Sequence, residues 1–206
     1  MSRAPAKTSE PPRAEDRRRR IVAAATSLFS RYGFRRTSVD LIATEAGVAK
    51  PTIYAYFTDK EAVFVAVCAD VCEAFLARAE AASRVAGPLE ERLAGVLTAK
   101  FTHIYELVHR SPHAQELLDS QGALGADLVQ KADRAYHRLL TSMLEEAAAS
   151  GEIAPKQSGL APGAVASLLM RAGHGAAYDA TSSASHARHL AEMVRVLVAG
   201  LRGSRS

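Results

Sequence analysis

The sequence contains two cysteines, no tryptophan and only 6% aromatic residues. Two cysteines cannot form a disulfide framework, so a reducing compartment, the cytoplasm, is expected. No stretch approaches the roughly 18 uncharged apolar residues of a membrane span, so no membrane partner is expected. β-Branched runs are scarce, which argues against an all-β fold, and there is no collagen-like or sustained heptad pattern. Catalytic signatures are also missing: no Gly-rich phosphate loop, no GxSxG elbow, no HExxH and no zinc-finger spacing. Neither catalysis nor a cofactor is therefore expected.

What is present is alanine, at 41 of 206 positions within a 48% apolar composition. Alanine gives up no side-chain entropy in a helix, so the chain is expected to be all-α with an aliphatic core. The net charge of +4 hides an asymmetry. Residues 1–60 carry twelve Lys/Arg against six Asp/Glu, a net of +6, and residues 61–206 carry fourteen against sixteen, a net of −2. Such a split suggests a polyanion-binding head on a near-neutral body, or else simply a solvated basic helix. The run Arg17-Arg18-Arg19-Arg20 before Ile21 resembles a secretion signal. Its apolar stretch is short and continues with helical spacing at Ala25, Leu28, Phe29 and Tyr32, so it reads as an amphipathic helix.

Periodicity and breakers predict about nine helices: near 14–31, 38–46, 50–57, 59–83, 89–110, 113–119, 126–150, 163–179 and 185–200. Residues 1–13 are polar and Pro-rich and are expected to form a disordered arm, residues 14–60 a basic head, and residues 61–206 a helical-bundle body. Thr37 is the expected N-cap of the second helix, with Asp40 completing a capping box.

The informative stretch is TSVDLIATEAGVAKPTIYAYFTDK, residues 37–60. A helix-turn-helix needs a small residue where the helices cross, a residue tolerant of positive φ in the turn, and apolar residues locking the pair. Ala43 meets the first need and Gly47 the second, while Ile42, Ala46, Val48 and Ile53 supply the third. A structural hairpin would not crowd its second helix with the polar tips of Lys50, Thr52, Tyr54 and Tyr56.

The block GFRRTSVDLIATEAGVAKPTIYAYFTDKEAVFVAV resembles the DNA-binding head of TetR/AcrR-type bacterial transcriptional regulators. The matching positions are Gly33-Phe34, Thr37, Ile42-Ala43, Ala46-Gly47-Val48, Thr52, Tyr54, Tyr56-Phe57 and Lys60-Glu61. Ala49 departs from the family's usual capping residue, and Pro51 from a frequent Gly. Lys50, opening the recognition helix, is placed to reach guanine O6/N7, and the Pro51 ring a thymine methyl. The resemblance implies phosphate and sugar contacts from Thr52, Tyr54 and Tyr56, and a backbone clamp at Lys60; Tyr56 reads equally as a core residue at the helix-turn-helix lock. Thr37 and Ser38 would offer a phosphate site at a helix N-terminus, and the Arg17–Arg20 run, Arg35 and Arg36 would track the backbone, enter the minor groove or stay solvated.

For the body, apolar stripes on the last two helices suggest a dimer seam: Leu168, Leu169, Gly173, Ala176 and Ala177 on one, Leu190, Met193, Val194, Leu197 and Leu201 on the other. Internal packing of the same stripes is the alternative. The resemblance implies a ligand pocket among the middle helices, with candidates Phe75, Phe101, Tyr105, Val108, Leu117, Tyr136, Met143, Met170, His174 and Tyr178. All seven histidines lie in the body, but neither His109/His113 nor His186/His189 has completing ligands, so no metal is expected. Cys68 and Cys72, four apart on one helix, read as core, with thiol sensing a lesser reading. The expected function is a homodimeric repressor released from a near-palindromic double-stranded operator by a small lipophilic effector, with residues 14–60 as the DNA-binding domain and residues 61–206 as the ligand-binding and dimerisation domain. The alternative is a DNA-bound interaction protein whose body docks a protein partner and senses no metabolite.

Overall fold

A computed structural model describes residues 12–109, 125–155 and 159–202. Eight helices and no strand appear among them: α1 (Pro12–Tyr32), α2 (Val39–Ala46), α3 (Lys50–Tyr56), α4 (Lys60–Ser83), α5 (Leu89–His109), α6 (Ala126–Ala149), α7 (Pro162–Gly175) and α8 (Ser183–Leu201). The fold is all-α, as the alanine content leads one to expect. The helix expected at 113–119, the arm up to residue 11, Leu117 and His113 lie outside the described residues. The seventh helix stops at Gly175, four residues short of the expected Asp179, and the chain turns through a Tyr178 N–H bond to the Gly175 carbonyl, 3.1 Å.

Two buried apolar clusters share α4. One gathers Ile21, Val22, Ala25, Leu28 and Phe29 of α1 with Ile42, Ala43, Ala46, Ile53 and the α4 residues Val63, Phe64, Val67 and Cys68. The other begins one turn later, at Cys72 and Phe75, and continues through α5, α6, α7 and α8. Inside the second cluster Tyr136 is fully buried, and its hydroxyl donates to the Val96 carbonyl at 2.8 Å, as a buried phenol requires. Phe101 lies so close to Gly173 that a Cβ there would meet its ring at 2.6 Å; only glycine fits.

That packing corrects part of the expected dimer seam. Leu169, Gly173, Leu190, Val194 and Leu201 are buried within their own chain, so they are not available to a second copy. Helical period identifies a buried stripe but not what buries it. Leu168 and the half-buried Ala176, Ala177, Met193 and Leu197 remain on or near the surface, and Val196 is 75% exposed.

The end of α8 is tied down by polar contacts. Arg202 donates to Glu90 at 2.6 Å and lies 3.6 Å from Glu152, whose carboxylate also accepts the Leu89 N–H at 3.2 Å. Arg202 helps hold the Glu90 carboxyl below its usual range, together with hydrogen bonding from the helix backbone, which is the larger cause.

Candidate nucleic-acid interface

The head is built on the turn between α2 and α3. Gly47 has φ 63°, its N–H bonds the Thr44 carbonyl at 3.1 Å, and the Val48 N–H bonds the Ala43 carbonyl at 3.0 Å. This pair of bonds is the Schellman closure of a helix, and it needs a left-handed residue at its centre. Val48 then packs against the same cluster as Ala43. From there α3 crosses on Ile53, which is buried against the cluster containing Ile42 and Ala46.

Arg20, 26 residues earlier on α1, closes the far side of this turn. Its guanidinium donates to the Ala46 carbonyl at 2.6 Å and the Gly47 carbonyl at 3.3 Å. A cation there satisfies carbonyls left without partners at the end of α2 and complements the negative end of its dipole. The sequence gives no local sign of this role. The rest of the arginine run divides: Arg18 lies over the Phe57 ring at 5.8 Å, Arg19 pairs with Asp16 at 3.5 Å, and Arg17 is exposed.

The N-cap of α2 is Ser38, not Thr37. The Ser38 hydroxyl accepts from the Leu41 N–H at 3.2 Å. Thr37 is buried and its hydroxyl donates to the Gly33 carbonyl at 2.8 Å, so that hydroxyl is turned away from any phosphate. Gly33, at φ 81°, brings its carbonyl back to Thr37 by reversing the chain after α1. Asp40 forms no capping box either. Its carboxylate holds the Lys50 ammonium at 2.9 Å across the turn, and this contact raises the lysine's affinity for its proton.

At α3, Ala49 provides no side-chain cap and Pro51 occupies the first turn, both as the sequence suggests. Lys50, Pro51 and Tyr54 are exposed, and Thr52 is half-buried. Tyr56 is also half-buried and packs on the head core. Arg35 and Arg36 are exposed on the turn before α2. Lys60 is turned inward: its ammonium donates to the Phe34 carbonyl at 3.0 Å and sits 4.4 Å from the Phe34 ring centre. Its position props the segment leading into α2 and leaves it half-buried.

In the body, Phe75, Phe101, Tyr136 and Met143 converge in the one cluster, with Met170 packed against it. Tyr105 is buried and donates to the Ala180 carbonyl at 2.8 Å, with its ring stacked 4.8 Å from His186. His174 is exposed but its ring touches Phe101 edge-on at 4.9 Å. Tyr178, at 97% exposed, lines no interior space, because the chain has already left α7. The Val108 side chain lies outside the described residues. Among the described residues no group of three or more His, Cys, Asp or Glu is arranged to hold a metal. Burial pushes the Cys68 thiol up to about 11 and raises that of Cys72, which is the reverse of a reactive sensor.

One residue escaped the pocket candidates. Lys100 is buried at the centre of α5 beside Phe101. Its spacing from Leu93, Val96 and Leu97 follows the core period of that helix, and this was the available signal.

Residues 21–67 match the family model described as bacterial regulatory proteins, tetR family. The HTH-type transcriptional regulator YhgD of Bacillus subtilis is 29% identical over 142 residues, 68% of this chain and 73% of its own. The fatty acid metabolism regulator protein of the same organism is 28% identical over 138 residues, 65% and 69% of the two chains. Among solved structures, FadR of Bacillus subtilis, determined with stearoyl-CoA, aligns with a TM-score of 0.65 at 22% identity, covering 89% of this chain and 98% of its own. Among the described residues no helix is long and apolar enough to cross a membrane. A tetR-family sequence at residues 21–67, laid on a helix-turn-helix whose outer surface carries Lys50, Pro51 and Tyr54, gives the chain a TetR-type DNA-binding head and makes it similar as a whole to TetR/AcrR-type transcriptional regulators.

Proposed function

We propose that this regulator is a cytoplasmic repressor that binds a near-palindromic operator as a homodimer and is released by a small lipophilic effector. The observation that carries the DNA side is the Gly47 turn, which seats α3 on the head core by Ile53 and leaves Lys50, Pro51 and Tyr54 facing outward. Residues 14–60 form the reading head, completed by the first turns of α4, and the body begins at residue 61. Arg35, Arg36, Ser38, Thr52 and Tyr54 supply backbone contacts, whereas Thr37, Tyr56 and Lys60 support the surface from behind.

Lys50 is the base reader, and Asp40 is the acceptor it must leave. Both side chains are exposed, so the exchange is inexpensive. Selection of bound genomic fragments by the purified protein tests the reading: a two-fold symmetric site is expected, and failure to enrich any sequence overturns it. On that site Lys50→Ala should lose roughly tenfold in preference over a scrambled duplex, the worth of a good base contact. Asp40→Ala should tighten binding to both duplexes by removing a competing carboxylate. Fluorescence anisotropy reads both, and unchanged discrimination in Lys50→Ala would remove that residue from base reading.

The dimer is proposed on the outer sides of the last two helices. Met193, Val196, Leu197 and Gly200 recur at helical spacing on α8, and Leu168 is flanked on α7 by the small residues Ala164, Ala172 and Gly175. Val196→Glu should convert a dimer to a monomer in sedimentation velocity and weaken operator binding with it. A wild-type monomer, or a variant that remains dimeric, would contradict this placement.

A lipophilic effector is supported by the aliphatic and aromatic cluster around Phe75, Phe101, Tyr136 and Met143. The likeness to a fatty acid metabolism regulator and to a FadR bound to stearoyl-CoA points the same way. The effector acts through a difference in its affinity for two body conformations. Phe75 and the head-core residues Val63 and Phe64 are on the same helix, which makes α4 the element that carries the change.

A further inference from the structure

Lys100 is a charge enclosed by apolar surroundings. Its side chain is 4% exposed, and its ammonium lies 5.0 Å from the ring centre of Tyr136, 5.2 Å from that of Phe101 and 5.6 Å from that of Phe75. An ammonium has three N–H donors. Asp133 Oδ1 accepts one at 2.5 Å, and among the described residues it is the sole hydrogen-bond acceptor for Lys100. The remaining donors face aromatic π clouds, which attract a cation but replace its hydration incompletely. A tie between α5 and α6 does not call for this arrangement. Buried ion pairs can usually be replaced by apolar side chains without loss of stability, and Leu93 and Leu97 on the same helix already pack that way.

The two partners differ in their surroundings. Lys100 is enclosed, whereas Asp133 is 39% exposed and can be solvated by water if its partner is taken. The box also joins four helices, because Phe75 belongs to α4, Phe101 presses on Gly173 of α7, and Tyr136 belongs to α6. A group that replaces Asp133 therefore changes the packing of the helix leading to the head.

We infer that Lys100 is the anchor for an anionic head group, a carboxylate or a phosphate, on an amphiphilic effector that displaces Asp133 and lays its apolar part in the surrounding cluster. The inference rests on the effector-responsive reading above and narrows the effector to an anionic class. It assigns Lys100 to ligand recognition and Asp133 to the place held open for the ligand.

Calorimetric titration of the full chain with decanoate, decyl phosphate and decan-1-ol tests it, with thermal melting as a second readout. At least one anionic compound should bind ten times or more tightly than the alcohol, and the stronger of the two identifies the head group. Lys100→Met keeps the volume and removes the charge, so it should lower anion affinity at least tenfold, to the level of the alcohol. Asp133→Asn leaves Lys100 without its carboxylate. It should lower the melting temperature, and the anion but not the alcohol should restore it. A merely structural pair would show no such selective rescue. Equal binding of anion and alcohol to the wild type, or undiminished anion binding by Lys100→Met, would overturn the inference. If the anions and the alcohol bound equally, and all three released the operator in fluorescence anisotropy, the lipophilic-effector reading would survive while the anionic anchor fell. If no compound bound, the anchor would fall as well.

Discussion

Phe64→Ala is expected to destabilise the protein by about 3–5 kcal/mol and to abolish DNA binding. Phe64 is 1% exposed and lies where α4 enters the head. Its ring centre is 5.6 Å from that of Phe29 and 4.9 Å from that of Phe34, both at steep angles, and the Phe29 and Phe34 centres are 5.5 Å apart. Edge-on aromatic packing of this kind adds to the burial of apolar area. Truncation leaves a cavity between α1, α4 and the segment that leads into α2. It also removes the ring that holds Phe34 in place, and with it the carbonyl that receives Lys60. A small domain has about 5–15 kcal/mol in total, so the loss is large enough to unfold the head under ordinary conditions. Urea denaturation followed by circular dichroism, with anisotropy on the selected operator, reads both effects. Full DNA binding by the variant would show that the aromatic triad does not hold the reading surface together.

Gly47→Val is expected to destabilise by about 1–3 kcal/mol, with a loss of operator affinity greater than the loss of stability alone accounts for. A β-branched residue at φ 63° places its Cβ against the following carbonyl, at about 1–2 kcal/mol for the left-handed region. The same Cβ would stand 2.9 Å from the Arg20 guanidinium, so the arginine must withdraw from the Ala46 carbonyl. Loss of a cation from a helix C-terminus adds roughly 0.3–1 kcal/mol. Gly47→Asn separates the two contributions, because asparagine tolerates the left-handed region but still crowds Arg20. The expected order of stability is Gly, Asn, Val. Equal stability for Asn and Val would mean that Arg20, rather than the backbone, sets the cost.

The helix-turn-helix was legible in the sequence because each of its requirements is local. Ala43, Gly47 and Ile53 lie within eleven residues, and turn chemistry has few solutions. Whether Thr37 or Ser38 caps α2 was not legible. Both have a capping hydroxyl, and the choice depends on Gly33 presenting a carbonyl to residue 37. Part of the dimer stripe was misread for a different reason. Leu190 and Val194 obey the same 3.6-residue period whether they face another helix of their own chain or of a second one. Arg20 and Lys100 were hidden by distance in sequence: the carbonyl that receives one is 26 residues away, and the carboxylate that receives the other is 33. Pairings of that kind are produced by the fold, and no short pattern announces them.

The helix common to both cores has a mechanical consequence. With 24 residues it is a rod about 36 Å long at 1.5 Å per residue, continuous from Lys60 to Ser83. A tilt of about 5° about a point near residue 70 moves the head end, about 15 Å away, by roughly 1 Å, twice the movement at Phe75. One turn of helix separates Cys68, in the head core, from Cys72, in the body core, so the fulcrum of this lever is built into the chain. Successive major grooves on one face of DNA stand about 34–36 Å apart, and two heads must match that spacing together. In the proposed dimer, a small rearrangement around Phe75 would therefore be passed on as a mismatch of heads and grooves without any helix of the head having to unfold.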